Sequence, residues 1–175
     1  LKTLIFSVFI CFIVIVPSCK AKPNTERKKQ VKEQAKNDFS KYEARLGFKI
    51  ESSGFNKALY DFVLDWLGTP YKYGGCTKSG TDCSCFVFNA YKEVYNKTLP
   101  RSTSEIANAA KSIKAHQLKT GDLIFFNTDG KKISHIGMHL QNDKFVHAST
   151  KRGVMISSRD EEYFQKTFRG FGSFF

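Results

Sequence analysis

Thr81-Asp82-Cys83-Ser84-Cys85-Phe86 is the stretch on which the reading of this chain turns. Gly74, Gly75 and Gly80 make its approach a loop. Beyond it Phe86, Val87, Ala90, Tyr91 and Val94 recur at helical spacing, which predicts a helix over about 83–95 with one buried face. Asp82 is of the residue type that caps a helix by accepting the free amides of its first turn. Cys83 then falls in that first turn, where exposed N–H groups and the helix dipole favour negative charge. The position suits a thiolate nucleophile. The plainer alternative is a buried structural cysteine, since free cysteine often behaves as a small core residue.

Around this centre the hydrophobic period changes once. From Asn56 to Leu67 the residues Leu59, Phe62, Val63, Trp66 and Leu67 follow helical spacing, and Gly68-Thr69-Pro70 ends that helix. Tyr71 to Gly75 reads as an extended, turn-bound segment. Ser102 and Glu105 form a capping box that opens a short helix to about Lys111. Strand-like runs follow at 122–126, 133–140, 144–149, 154–157 and 169–175, separated by turns such as Thr120-Gly121 and Asp129-Gly130. Helices first and short strands afterwards predict an α+β domain. Its N-terminal helices would pack on one side of a mostly antiparallel sheet of about five or six strands.

The alternation along 134–140 puts Ile136, Met138 and Leu140 on one face of a strand and His135 and Gly137 on the other. A glycine beside the histidine leaves room for another element to approach the imidazole. His147 lies on the next strand, joined by the loop at 141–143, so the two imidazoles are expected side by side, facing the helix that begins at Cys83. Either histidine alone reads as structural. With Cys83 they read as nucleophile, base and orienting residue. His139 reads as structural or rim, His116 as exposed, and Asp122 as the residue that fixes the turn after Gly121.

The 175 residues suffice for one domain and a tail, and 17 Phe with 41% hydrophobic content are those of a packed chain. The formal net charge of +12 points to anionic surroundings, and five cysteines make no tidy disulfide framework. Lys2 followed by the apolar run 4–16 and Pro17-Ser18-Cys19 reads as a signal peptide over 1–19. Val16-Pro17-Ser18-Cys19 also resembles a bacterial lipobox, in which Cys19 is lipidated and becomes the mature N-terminus; a plain signal peptide or an uncleaved anchor is the alternative. Residues 20–45 carry nine Lys or Arg against four Asp or Glu and read as a basic tether, partly helical from Val31 to Arg45. Nucleic acid is an unsuitable partner for an exported chain whose charges are not interleaved with aromatic residues. The catalytic domain is expected over 46–175.

The residues Tyr71-Lys-Tyr-Gly-Gly75, Asp82-Cys-Ser84 with Phe86, Leu99-Pro-Arg101, Gly121-Asp-Leu123, Ser134-His-Ile-Gly137 and Phe145-Val-His-Ala-Ser149 resemble, in order, the NlpC/P60 family of papain-like cell-wall cysteine peptidases. Within that family the likeness is to small lipoprotein murein endopeptidases. It implies Cys83 as nucleophile, His135 as general base and His147 as the third polar residue. It also implies Tyr71 at the oxyanion site, and Asp82 and Ser84 beside the substrate groove. The expected substrate is the peptide part of peptidoglycan, cut without a metal or other cofactor by a monomer. A lipid anchor would hold that monomer to the outer membrane, facing the periplasm. Cys85 departs from the family's usual glycine. It could crowd the helix start, offer a second thiol, or pair with Cys76 in an oxidising compartment. Three rival readings share these residues: a zinc site on Cys83, His135 and His147, a thiol acyltransferase, and a non-catalytic wall-binding module.

Overall fold

Asn56 opens the first labelled helix, α1 (Lys57–Trp66), by accepting the Leu59 amide at 3.1 Å. Leu59, Phe62, Val63 and Trp66 are buried along one stripe, and Gly68 turns the chain away with φ +81°. Asp82 opens α2 (Cys83–Tyr95) by accepting the Cys85 amide at 2.7 Å, and Asn96 ends it in the left-handed region. The reciprocal box of Ser102 and Glu105 opens α3 (Thr103–Ala109). This helix stops short of the expected Lys111, because the next residues find a strand to pair with.

In this computed structural model the described residues are 39–130 and 132–175, with Thr25, Glu26 and Lys28. The chain divides into two units, Leu1–Lys36 and Asn37–Phe175. In the first, Thr25, Glu26 and Lys28 are helical; the signal segment 1–19 and Cys19 lie outside the described residues. Among the described residues no helix is long and apolar enough to cross a membrane.

The second unit begins ahead of the expected domain start at Leu46. Residues 39–46 are helical, and Tyr42 and Leu46 are buried in the main core. The Tyr42 hydroxyl donates to Asp61 at 2.6 Å, and the Phe39 and Phe55 rings lie 4.8 Å apart. Phe39, Tyr42 and Leu46 form an apolar stripe that a count of charges over 20–45 conceals.

Beyond the short hairpin of β1 (Cys76–Thr77) and β2 (Gly80–Thr81), the strands are β3 (Lys111–Ile113), β4 (Leu123–Phe126), β5 (His135–His139), β6 (Lys144–Ser149), β7 (Gly153–Ser158) and β8 (Phe168–Ser173). The last six form one sheet in the order β3-β8-β4-β5-β6-β7, with every neighbouring pair antiparallel. The expected α+β fold is therefore observed. β3 was not anticipated, because three residues of half-exposed chain carry too little pattern to read.

Alternation divides the sheet's side chains between two clusters. Leu123, Phe125, Ile136, Met138 and Val146 join Leu59, Val63, Phe86 and Tyr91 of the helices in the main core. Ile124, Phe126 and Phe145 point the other way and meet Phe164 of α4 (Glu162–Thr167), a helix the sequence reading did not foresee. Each fully buried Phe contributes on the order of 2–3 kcal/mol. Helices thus cover both faces of the sheet, not one.

Candidate active site

The site begins with the loop that enters α2. Lys72 donates its amide to the Thr81 carbonyl and Thr81 donates to that of Pro70, both at 3.0 Å, so Tyr71 is clasped beside Thr81. Gly75 and Gly80 permit this closeness, since a Cβ on Gly75 would collide with the Gly80 carbonyl. The Asp82 carboxylate ties the loop to the helix. One oxygen takes the Cys85 amide and, at 2.9 Å, the Ser84 hydroxyl, while the other takes the Gly74 amide at 3.1 Å. Ser84 is buried with its hydroxyl turned to Asp82. Both residues, expected beside a groove, are therefore engaged in shaping the first turn.

Cys83 is buried, and its sulfur lies 3.6 Å from the Thr103 hydroxyl. The amides of Ile136 and Ser84 also point at the sulfur. Burial pushes the thiol pKa up, with the Asp82 charge adding to it, while the three donors pull it back. The net shift is upward, so the resting cysteine is a thiol rather than the thiolate that its helix position suggested. Burial outweighs the favourable helix start here because desolvation of the enclosed sulfur is the largest contribution and the neighbouring Asp82 charge adds to it.

The Ile136 amide that faces Cys83 belongs to the residue after His135. His135 Nε2 and His147 Nδ1 are 2.8 Å apart, and His147 Nε2 lies 3.2 Å from the Ser157 hydroxyl. The two histidines are side by side as expected. They lie on the face lined by Phe126, Phe145 and Phe164, whereas α2 packs on the opposite face. The sulfur meets the site at the start of β5 rather than from above the imidazoles. The space over Gly137 is taken by the Phe145 ring, not by the helix. Burial lowers the His135 pKa to about 4 and that of His147 to about 3, the latter helped by the charges of His135 and Arg152. Both imidazoles are neutral at pH 7.

A neutral pair with this spacing fixes its own tautomers when His135 acts as a base. His135 must keep Nδ1 free, so its Nε2–H donates to His147 Nδ1, and His147 then donates Nε2–H to Ser157. The two nitrogens address one shared proton. Among the described residues no group of three His, Cys, Asp or Glu is arranged to hold a metal ion. The Tyr71 phenol is half-buried, and burial, followed by the charges of Cys83, Asp82 and Tyr73, raises its pKa.

Cys76 and Cys85 form a disulfide with Cα atoms 5.2 Å apart. Cys85 is wholly buried, pointing to β1 rather than into the sheet, so it does not crowd the helix start. His139 is a separate buried residue whose pKa burial lowers to about 4, and His116 is exposed. Asp122 holds its turn by accepting the Lys119 amide at 2.7 Å. Thr103 and Ser157 were not singled out from the sequence. Neither sits in a chemical motif, and only the tertiary register brings them to the sulfur and the imidazole.

The domain thus carries a histidine pair on the sheet and a cysteine at a helix start whose sulfur faces the neighbouring Ile136 amide, and sequence comparison gives its family. Residues 68–173 match the NlpC/P60 family, and the chain belongs to that family. It is 44% identical over 113 residues to a probable endopeptidase NlpC homolog of Haemophilus influenzae, covering 65% of this chain and 60% of the relative. It is also 44% identical to the murein DD-endopeptidase MepS/murein LD-carboxypeptidase of Escherichia coli K12, covering 63% of this chain and 58% of the relative. The chain thus spans less than two thirds of either protein. A crystal structure of an NlpC/P60 family protein from Bacillus cereus superposes with a TM-score of 0.62 at 28% identity, over 67% of this chain and 39% of that one.

Proposed function

We propose that this chain is a thiol peptidase that hydrolyses amide bonds in the peptide part of peptidoglycan, with Cys83 as nucleophile, His135 as general base and His147 as orienting residue. The observation that carries the reading is the hydrogen-bonded line His135–His147–Ser157, which begins one residue before the Ile136 amide that faces the Cys83 sulfur. Family membership and relatives named as murein endopeptidases support the substrate.

The reaction starts from the neutral pair. As the sulfur bonds to the substrate carbonyl carbon, the thiol proton passes to His135 Nδ1. The Thr103 hydroxyl and the Ser84 and Ile136 amides carry the charge that builds on sulfur. The carbonyl oxygen becomes an oxyanion facing the Cys83 amide and the Tyr71 hydroxyl. When the C–N bond breaks, His135 gives its proton to the leaving nitrogen, and an acyl thioester remains. Water then attacks that carbonyl, yields a proton to His135, and releases the carboxylic acid; the thiolate recovers the proton. Asp82 and Ser84 serve the groove by setting the first turn that aims Cys83 and its amide.

The leader segment supports an exported lipoprotein lipidated at Cys19, held to the outer membrane and acting in the periplasm as a monomer, with the basic residues 20–38 contributing a tether ahead of the packed helix. The net charge of +12 supplies non-specific attraction to a carboxylate-rich polymer.

Residues 20–175, wild type and Cys83→Ala, incubated with monomeric and cross-linked muropeptides and read by mass spectrometry, test the function. Cleavage by wild type alone is expected, with kcat falling by at least about 10³ in the variant. No cleavage by folded, reduced wild type overturns the peptidase reading and favours a wall-binding module.

A further inference from the structure

The two histidines open onto a cavity of ≈ 360 Å³ that runs along their face of the sheet to the turn between β6 and β7. That turn carries Lys151 and Arg152 on the cavity wall, both exposed. Arg152 stands close enough to His147 for its charge to oppose protonation of that imidazole. Among the described residues neither cation has a carboxylate within ion-pairing distance. The wall's own acid, Glu161, has one oxygen engaged by the Ser158 amide at 2.7 Å.

The turn is held in place. Gly153 has φ +69°, and a Cβ there would collide with the Thr69 carbonyl. The Val154 amide donates to Thr69 at 2.9 Å, and the Gly68 amide donates to Val154 at 2.8 Å. The two cations are therefore presented by a turn locked against the segment that leads into Tyr71.

Reaction geometry says what faces them. In the proposed reaction His135 must reach the leaving nitrogen, which places the amine component of the scissile amide on the histidine side, toward this cavity. The acyl component lies toward Tyr71 and Asp82. We propose that Lys151 and Arg152 form a carboxylate subsite that selects amides whose amine component bears a free carboxylate beside the leaving nitrogen. This deepens the peptidase reading and rests on it. In a D,D cross-link whose acceptor is a diamino diacid, the carbon next to the leaving nitrogen carries such a carboxylate. In the γ-D-glutamyl bond within an extended stem, the corresponding carboxyl is itself tied up as an amide. The subsite therefore directs the enzyme to cross-links and to the terminal D-amino acid of a stem, and away from the γ-D-glutamyl bond of an extended stem.

The test uses a cross-linked muropeptide with that carboxylate either free or amidated. Wild type is expected to show a KM about tenfold lower for the free acid, with kcat within about twofold. In Lys151→Ala/Arg152→Ala the KM ratio falls to about one. A Lys111→Ala/Lys114→Ala control, which loses the same charge at the opposite edge of the sheet, keeps the preference. Equal KM values in wild type, or a preference that survives in the Lys151/Arg152 variant, overturn the subsite. Equilibrium binding of the same two muropeptides to Cys83→Ala separates the two ideas. Tighter binding of the free acid, lost with the two cations, upholds the subsite even if wild type cleaves nothing; equal binding sinks it independently of turnover.

Discussion

At the residue scale, the hydroxyl of Ser157 occupies the end of the polar line and has no other assigned work. It is buried, and it accepts from His147 when His135 serves as base. Ser157→Ala leaves a buried N–H unpaired and frees His147 to turn, so kcat is expected to fall about tenfold with KM nearly unchanged. Ser157→Thr, which keeps the hydroxyl, restores most of it. Steady-state kinetics of the three proteins check this, and an unchanged kcat in the alanine form removes Ser157 from the orienting line. Ser157 was beyond reach of the sequence because its importance depends on register: His147 pairs with Met155, and the next inward residue is Ser157. Cys83, His135 and His147 were legible because each stands in a stretch with a readable helix or strand period.

At the element scale, the disulfide joins β1 to the first turn of α2. The loop it closes is short, with a sequence separation of 9. Constraint of the unfolded chain by such a loop contributes about 2–3 kcal/mol. Reductant is therefore expected to lower Tm by about 5–10 °C in the wild type and to leave Cys76→Ser/Cys85→Ala unmoved. Scanning calorimetry with and without reductant reads the effect, and a wild-type Tm indifferent to reductant would show that the staple carries no stability. The helix boundaries of α1 and α2 were readable because caps and turns mark them. α4 was not, because its single buried side chain, Phe164, leaves no period to detect.

At the scale of the whole molecule, the buried His139 and His147 and the part-buried His135 make stability depend on pH. In the unfolded chain each titrates near its ordinary 6.5. In the folded chain burial lowers His135 and His139 to about 4 and His147 to about 3. Between these values the unfolded state binds more protons, so the stabilisation is fully present above pH 6.5 and is lost as pH falls toward 4. Denaturant midpoints measured from pH 7 to pH 4 should decline steadily over that interval. A flat profile would mean that the imidazoles are not buried as neutral groups. The same burial that creates this sensitivity keeps His135 unprotonated and ready to accept the thiol proton.

The sequence by itself determined the helices α1 to α3 and the strands β4 to β8 in order, the cap that places Cys83, and the pairing of two histidines across adjacent strands. These depend on local periods and on turn residues, which act over a few positions. Tertiary structure alone decided that the cysteine rests as a thiol, that Thr103 and Ser157 join the site, that Cys76 meets Cys85, and that Lys151 and Arg152 wall the cavity beside the histidines. Those outcomes depend on desolvation and on contacts between residues far apart in the chain. Neither leaves a period in the sequence, because the energy of a buried or paired group is set by what surrounds it rather than by its neighbours along the backbone.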